Sequence, residues 1–154
     1  MTNYFDDEFH FRELTRELKS WEGTKYSHTG ICRKGIGSDC VAFVVSVLVS
    51  TGAIPPIQLP QYVRKNGGAA MLEMLIAKLE SITQLRRVWS IGQPLPDRAG
   101  RGWLLVISTD RAHHHLSIVG NPPQVWHCLD KVEQANFADS SVRNHLFAIY
   151  EANG

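Results

Sequence analysis

One stretch limits what this chain can fold into more than any other. A polar loop containing glycine ends at Ser38 and Asp39, and a long apolar segment begins at Cys40 and stops at Gly52. The valines of this segment favour a strand. Its length, its polar positions and the glycine that follows favour a buried helix. We therefore predict a helix over residues 40 to 51.

A helix that begins at Cys40 would place the thiol beside unpaired backbone N–H groups and the positive end of the helix dipole. Both stabilise a thiolate, and a lowered thiol pKa is what a nucleophilic cysteine needs. The alternative is a buried cysteine at the start of a core element. This stretch alone does not separate the two interpretations.

Composition excludes several classes of function. The chain has 154 residues, enough for one domain over residues 1–154 that buries about 70% of its unfolded surface. Its formal net charge is only +1, so no large basic field indicates nucleic acid as a partner. The three cysteines, Cys32, Cys40 and Cys128, form no CxxC pair. The sequence therefore predicts neither a disulfide scaffold nor a structural zinc site, and no cofactor.

The beginning of the sequence does not have the pattern of a signal peptide. The first eight residues are acidic, whereas a signal peptide begins basic and continues apolar. The apolar segment after Asp39 is shorter than the roughly 20 residues that span a bilayer. We expect synthesis in the cytoplasm, no membrane contact, and a separate delivery route to any target outside the cell.

Hydrophobic periodicity predicts helices first and a sheet afterwards. Apolar residues recur at helical spacing over residues 6–21 and 69–80, on either side of the segment that begins at Cys40. Short apolar runs then predict strands over residues 103–108, 115–120, 124–128 and 144–151. Helices followed by an antiparallel sheet are typical of an α+β domain.

A cysteine at a helix start, followed by histidines on a sheet, is the arrangement of a papain-like thiol hydrolase. The helix supports the thiolate, and a rigid strand holds an imidazole within reach as base and later as acid. A third polar group orients the imidazole. The candidates in chain order are Cys40, His115 and His127.

Three sets of residues resemble the NlpC/P60 family of cysteine peptidases. The family's G-T-x-Y…D-C-x-x-[FL] signature is matched by Gly23-Thr24-Lys25-Tyr26 with Ser38-Asp39-Cys40-Val41-Ala42-Phe43. Its H-[VL]-[GAS]-[IL]-x strand is similar to His115-Leu116-Ser117-Ile118-Val119. Its second histidine motif falls at Trp126-His127-Cys128. Residues 26–30 and 132–150 are most similar to the branch encoded with phage tail genes, the phage cell-wall peptidases. The resemblance covers about residues 10 to 150.

The resemblance implies a papain-like NlpC/P60 fold, with N-terminal helices packed on a C-terminal antiparallel sheet, and a role for each matching residue. Cys40 would be the nucleophile, His115 the general base and acid, and His127 the residue that orients it. Tyr26 would lend its hydroxyl to the oxyanion region. Asp39 matches the family's aspartate, which would cap the helix or bind a free amine of the substrate.

The sequence departs from the family pattern at two places. The position after the cysteine, often serine in the family, is Val41, which puts recognition of a free substrate N-terminus in doubt. Where the family usually has Gly-Asp-Leu-[LV], this chain has Gly102-Trp103-Leu104-Leu105. We expect the second departure to alter only a turn.

Other interpretations of the histidines remain open. His113 or His114 would be the base if His115 is not, and three consecutive histidines also suggest a metal site, although no carboxylate or cysteine lies at a helpful spacing. The strands predicted over residues 115–120 and 124–128 would form a hairpin, and the length of its loop offers a check on the choice of histidines. A three-residue loop would place His115 and His127 on one face, whereas a two- or four-residue loop would turn Cys128 towards that face.

The leading hypothesis is an amidase or endopeptidase that cuts peptide stems of the bacterial cell wall through an acyl-enzyme, without a cofactor. Peptidoglycan peptides would be its substrate, and phage-tail or secretion-apparatus proteins its potential partners, unless lysis releases it. A second hypothesis is a thiol hydrolase or acyltransferase that acts on another amide or ester. A third is an inactive phage tail-assembly or interaction protein that keeps the fold.

Overall fold

The computed structural model describes residues 2–27, 29–59, 68–108 and 114–154, with the backbone alone over residues 68–71. Within those ranges, a 3-10 turn at Tyr4–Asp6 precedes four α-helices and six β-strands. The helices are α1 (Glu8–Trp21), α2 (Cys40–Ser50), α3 (Gly68–Ser81) and α4 (Ser140–Arg143). The strands are β1 (Leu85–Ser90), β2 (Leu104–Ser108), β3 (His114–Val119), β4 (Gln124–Cys128), β5 (Val132–Asn136) and β6 (Leu146–Ala152).

The strands form one sheet in the order β1-β6-β2-β3-β4-β5, and every neighbouring pair is antiparallel. The predicted α+β class, with helices before an antiparallel sheet, is confirmed. The four strands that the periodicity predicts are all present, each with its ends within two residues of the prediction.

The three longer helices also lie where the sequence predicts them. Asp7 caps α1 by accepting a hydrogen bond from the backbone N–H of His10 at 3.0 Å. Gly52 follows α2 with a φ of +79°, a left-handed conformation that glycine adopts without strain and that ends the helix. None of the helices in the described ranges is long and apolar enough to cross a membrane.

Two strands and one α-helix were not predicted. β1 and β5 are the two outer strands of the sheet. Each pairs on one side only, so its exposed positions tolerate charged and polar side chains that weaken the apolar signal. In β1, Arg86 and Arg87 interrupt the alternation, and a bulge shifts the register before Trp89. α4 has only four residues, fewer than a periodic pattern needs.

The two faces of the sheet support two apolar clusters. The first cluster joins α1 and α2 to one face, which includes Leu104, Val106, Leu116 and Ile118. The second cluster lies on the other face and includes Leu105, Ile107, Val119 and Val125, together with Trp89, Phe137 and Val142. α2 packs against β3 and β4. This packing brings the helix that begins at Cys40 to the strands that carry His115 and His127.

Candidate active site

Cys40 is the first residue of α2, as the sequence predicts. Asp39 caps the helix from an extended conformation, and its Oδ1 accepts a hydrogen bond from the backbone N–H of Ala42 at 2.7 Å. The thiol therefore lies in the first turn, where the helix dipole favours a negative charge. The neighbouring carboxylate acts in the opposite direction, because a negative charge beside the thiol disfavours the thiolate. Cys40 is 7% exposed.

Ser38, immediately before the cap, is held from two sides. Its backbone N–H donates to the carbonyl of Lys25 at 3.0 Å, and its carbonyl accepts from the backbone N–H of Ser27 at 2.9 Å. The buried thiol of Cys128, at the end of β4, also donates to the Ser38 carbonyl at 3.5 Å. The start of α2 is thus fixed between the segment that contains Tyr26 and the strand that contains His127.

His115 and His127 form a hydrogen-bonded pair. The Nε2 of His115 lies 3.2 Å from the Nδ1 of His127, and the two rings meet edge to face with their centroids 5.3 Å apart. In this arrangement Nδ1 is the nitrogen of His115 that does not face His127. The structure brings together the two histidines that the sequence analysis selects, in a relation that suits a base and its orienting partner.

The hairpin register explains how the two rings meet. Gly120 donates its backbone N–H to the carbonyl of Gln124 at 3.0 Å, which leaves a three-residue loop of Asn121, Pro122 and Pro123. Val119 then pairs with Val125, and Ile118 with Trp126. A three-residue loop places His115 and His127 on the same face of the sheet, as predicted for that loop length.

Burial favours the neutral form of His127. Removal of its ring from water lowers the pKa of His127 below the ordinary value, because the charged imidazolium loses solvation. The carboxylate of Glu133, opposite it on β5, partly opposes this effect. A neutral His127 has one N–H and one bare nitrogen, so it can accept a hydrogen bond from His115 or donate one to it.

His114 lies opposite Ser108 on β2, and its Nδ1 is 3.1 Å from the Ser108 hydroxyl oxygen. Its Nε2 is buried without a hydrogen-bond partner in the described part of the chain. Side chains alternate along β3, so His114 shares its face with Leu116 and Ile118, which belong to the same apolar cluster as Cys40. His115 lies opposite Ile107 and begins the other face. His113 lies outside the described residues.

Tyr26 and Cys32 flank the start of α2. Tyr26 is half-buried and packs against the first cluster, and its backbone N–H donates to the carbonyl of Asp130 at 2.7 Å. Cys32 lies along another side of the helix, with its sulfur 3.1 Å from the Ser46 hydroxyl oxygen. This contact was not expected from the sequence, because the spacing of fourteen residues between Cys32 and Ser46 crosses a loop.

No protein-family model matches the sequence, and no curated protein matches it. Solved structures do match. A protein of the NLP/P60 family from Staphylococcus aureus, described as similar to a lipoprotein, aligns with a TM-score of 0.59 and 15% identity. The alignment covers 99% of this chain and 44% of that one, so this chain spans less than half of the length of that protein.

A second solved structure is RipD of Mycobacterium tuberculosis, described as a non-catalytic NlpC/p60 domain protein adapted to peptidoglycan binding. It aligns with a TM-score of 0.52 and 14% identity over 92% of this chain and 95% of that one. This chain has the NlpC/P60 fold. The NlpC/p60 domain of the peptidoglycan hydrolase SagA gives a TM-score of 0.48 at 18% identity, over 82% of this chain and 88% of that one.

The NlpC/P60 fold is what the motifs around Cys40, His115 and His127 predict. At 14 and 15% identity, the likeness concerns the fold. One protein that shares it is non-catalytic, so the fold is compatible with both catalysis and binding. The roles of the individual residues, and the phage branch, remain predictions.

Proposed function

We propose that this chain is a cysteine peptidase or amidase that hydrolyses amide bonds in peptidoglycan stem peptides. The observation that carries the proposal is the hydrogen-bonded pair of His115 and His127, on the two strands against which the helix that begins at Cys40 packs. Alternation turns both rings to the face of the sheet away from the cluster of Cys40, so the proposal requires the thiol to reach His115 around the start of β3. A nucleophile at a helix start, a base on a strand and a group that orients the base are the parts that thiol hydrolysis needs.

The proposed reaction begins when His115 accepts the thiol proton and the Cys40 sulfur attacks the carbonyl carbon of the amide. The tetrahedral intermediate collapses as the imidazolium donates that proton to the leaving nitrogen, which departs as an amine. A thioester to Cys40 remains. Water, deprotonated by the same imidazole, then attacks the thioester, releases the carboxylic acid and restores the thiol.

His127 would orient His115 throughout this cycle. The hydrogen bond between them restrains the His115 ring and favours one of its tautomers, which is the task of the third member of a triad. Because burial keeps His127 neutral, it orients by hydrogen bonding and not by charge. A neutral orienting group stabilises an imidazolium less than a carboxylate does.

Tyr26 and Asp39 would have supporting roles. We assign the Tyr26 hydroxyl to the oxyanion region, since the tyrosine packs beside the cluster that contains Cys40. The bond from Ala42 supports the capping role of Asp39. Val41, where the family often has serine, is 6% exposed and packs in the core, so its substitution is accommodated by packing. The proposed mechanism uses no cofactor and no metal.

The proposed site of action is the cell wall, which the chain would reach from the cytoplasm through phage-tail delivery, a secretion apparatus or lysis. Phage-tail or secretion proteins are the partners that this route implies. An alternative function is peptidoglycan binding without catalysis, which the likeness to RipD favours. The retained cysteine and the paired histidines favour catalysis, because a pure binding protein has no need of them.

Incubation with purified sacculi, followed by mass analysis of the released muropeptides, tests the proposal. Hydrolysis predicts new fragments whose termini identify the bond cut, and none with Cys40→Ala. Co-sedimentation with sacculi in the absence of any fragment, at equal strength for wild type and Cys40→Ala, would instead establish the binding function. Turnover of a simple ester or amide without any effect on sacculi would indicate a thiol hydrolase or acyltransferase with another substrate.

A further inference from the structure

A local concentration of positive charge lies beside the candidate site. Residues 23–38 contain Lys25, Arg33 and Lys34 and no aspartate or glutamate, in a chain whose net charge is +1. Lys34 is neutralised by Glu17 at 2.9 Å. Lys25 and Arg33 are exposed and have no ion-pair partner among the described residues. Lys131 adds a further exposed cation from the segment after β4.

Lys25 and Lys131 lie directly opposite each other in an antiparallel bridge. Like charges at directly opposite positions destabilise such a pairing, whereas an opposite pair would stabilise it. Asp130 precedes Lys131 on the same segment and is also exposed, but it forms no ion pair with either lysine in the described structure. Among the described residues the two lysines thus face each other without an ion-pair partner, and their repulsion is screened mainly by solvent.

The bridge connects the two halves of the candidate site. Lys25 accepts a hydrogen bond at its carbonyl from Ser38, two residues before Cys40. Lys131 follows His127 by four residues, and its segment is joined to the first by the bond from Tyr26 to Asp130. Thr24 and Val132, the neighbours of the two lysines, are buried, so the lysines point to solvent. Two exposed apolar side chains, Ile36 and Leu129, lie on the same segments.

We propose that Lys25 and Lys131 form a subsite for a carboxylate of the substrate. Two lysine side chains that start from directly opposite positions can bring both ammonium groups to one carboxylate, which would remove their mutual repulsion when substrate binds. The exposed Ile36 and Leu129 would contact apolar parts of the same peptide. The inference rests on the proposed function and specifies the substrate class: stem peptides that carry a free carboxylate beside the bond cut.

The kinetic test compares one defined muropeptide with the same molecule after amidation of its carboxylates. Wild type is expected to lose about fivefold in kcat/KM on amidation, mainly through KM, as for an exposed ion pair worth up to about 1 kcal/mol. Lys25→Gln/Lys131→Gln should lose the same factor on the free acid and show no further loss on the amide. Lys19→Gln, an exposed lysine on α1, is the matched control and should behave as wild type. Equal discrimination by wild type and the double variant would overturn the subsite.

A binding test separates this inference from the proposed function. Sacculi stripped of attached phosphate polymers are compared with stripped and carboxyl-amidated sacculi in co-sedimentation with Cys40→Ala. The subsite predicts weaker binding to the amidated sacculi, and equal binding to both kinds of sacculi once Lys25→Gln/Lys131→Gln is added. This result would support the subsite even if no hydrolysis is found. If the two lysine substitutions weaken binding only to sacculi that still carry the phosphate polymers, the lysines bind phosphate, and the carboxylate assignment is overturned. Hydrolysis with no response to the lysines in either test would overturn the subsite alone.

Discussion

His115 and His127 are joined by a hydrogen bond of 3.2 Å between Nε2 and Nδ1, although they lie on different strands and twelve residues apart. Only one of the two nitrogens in that bond carries a hydrogen. If the Nε2 of His115 carries it and donates to His127, the bare nitrogen of His115 is Nδ1, and this atom would take the proton of the thiol. The pair thus determines which nitrogen of His115 serves as base. Burial supports this state, because it lowers the pKa of His127 and keeps the ring neutral.

The lowered pKa of His127 predicts a pH dependence of stability. The unfolded chain binds a proton at this residue near the ordinary histidine value of about 6.5, and the folded chain binds it only at lower pH. Between those values the unfolded state holds more protons, so the free energy of unfolding falls as pH decreases below about 6.5. Urea denaturation of wild type and His127→Gln at a series of pH values measures this effect.

The variant should show a shallower decline in stability than wild type over that window. Parallel curves for wild type and His127→Gln would mean that His127 does not titrate as its burial requires.

The pair also predicts an order of catalytic effects. His115→Ala removes the proton acceptor, so its loss of kcat/KM should approach that of losing Cys40. His127→Ala removes only the orienting bond, and we expect it to be on the order of 10- to 100-fold milder. His127→Asn or His127→Gln should restore part of the rate through an acceptor oxygen. The measurement is kcat/KM on one defined muropeptide.

Because members of a triad act as a unit, His115→Ala/His127→Ala should be no worse than His115→Ala alone. Additive losses would show that the two histidines act separately. A mild effect of all three variants would remove both histidines from the mechanism.

The sequence predicts the start of α2 well because the signals are local. Asp39 caps the helix, the thiol follows at once, and Gly52 ends the apolar run. From the sequence alone the pairing of His115 and His127 is conditional, because it depends on the length of the loop between β3 and β4. The hydrogen bond from Gly120 to Gln124 fixes a loop of three residues. The residue types of a turn with two prolines do not show which residues form this bond.

The lysine bridge and the outer strands could not be predicted for a different reason. Lys25 and Lys131 are separated by most of the chain and meet only because the segments beside α2 and β4 pair. β1 and β5 gain stability from one neighbour each, and these pairings override their weak local pattern. β5 pairs with β4 in a short hairpin, whereas β1 pairs with β6 far along the chain. Long-range contacts of this kind leave no periodic trace in a single sequence.

Replacement of the nucleophile is the most direct test of the site. Cys40→Ala and Cys40→Ser should reduce kcat by on the order of 10⁴-fold or more, because no other group can form the acyl-enzyme. The fold should remain, since each change removes or replaces one sulfur at a helix start. Cys32→Ala is the matched control and should keep most activity, as its sulfur contacts Ser46 along another side of the helix. Near wild-type turnover by either Cys40 variant would exclude this residue as the nucleophile.

Asp39 allows the cap to be separated from the charge. Asn caps a helix as well as Asp does, so Asp39→Asn should keep the stability of α2 while removing the negative charge beside Cys40. The thiolate would then form at lower pH, and iodoacetamide should label Cys40 faster at neutral pH than in wild type. Asp39→Ala should instead lower the free energy of unfolding by about 1 kcal/mol. Slower labelling in Asp39→Asn would show that the carboxylate assists the thiol.

The last prediction decides between neighbouring histidines. His114 shares the face of Leu116 and Ile118, in the cluster that contains Cys40, while His115 has the bond to His127. If His115 is the base, His114→Phe should keep kcat/KM within about threefold, well under 1 kcal/mol in the barrier. Its effects on stability oppose each other, because it removes a buried Nε2 that has no hydrogen-bond partner in the described structure but also the bond between Nδ1 and the Ser108 hydroxyl. We therefore expect the free energy of unfolding to stay within about 1 kcal/mol of wild type.

Ser108→Ala provides the second measurement for this choice. It leaves the Nδ1 of His114 without its bond of 3.1 Å and should lower the free energy of unfolding by about 1 kcal/mol, with activity retained. The opposite result is equally clear. If His114→Phe is as inactive as His115→Ala is expected to be, and Ser108→Ala lowers kcat and shifts its pH profile, then Ser108 orients His114 as the base. The His115–His127 pair would in that case stabilise the sheet and not the reaction.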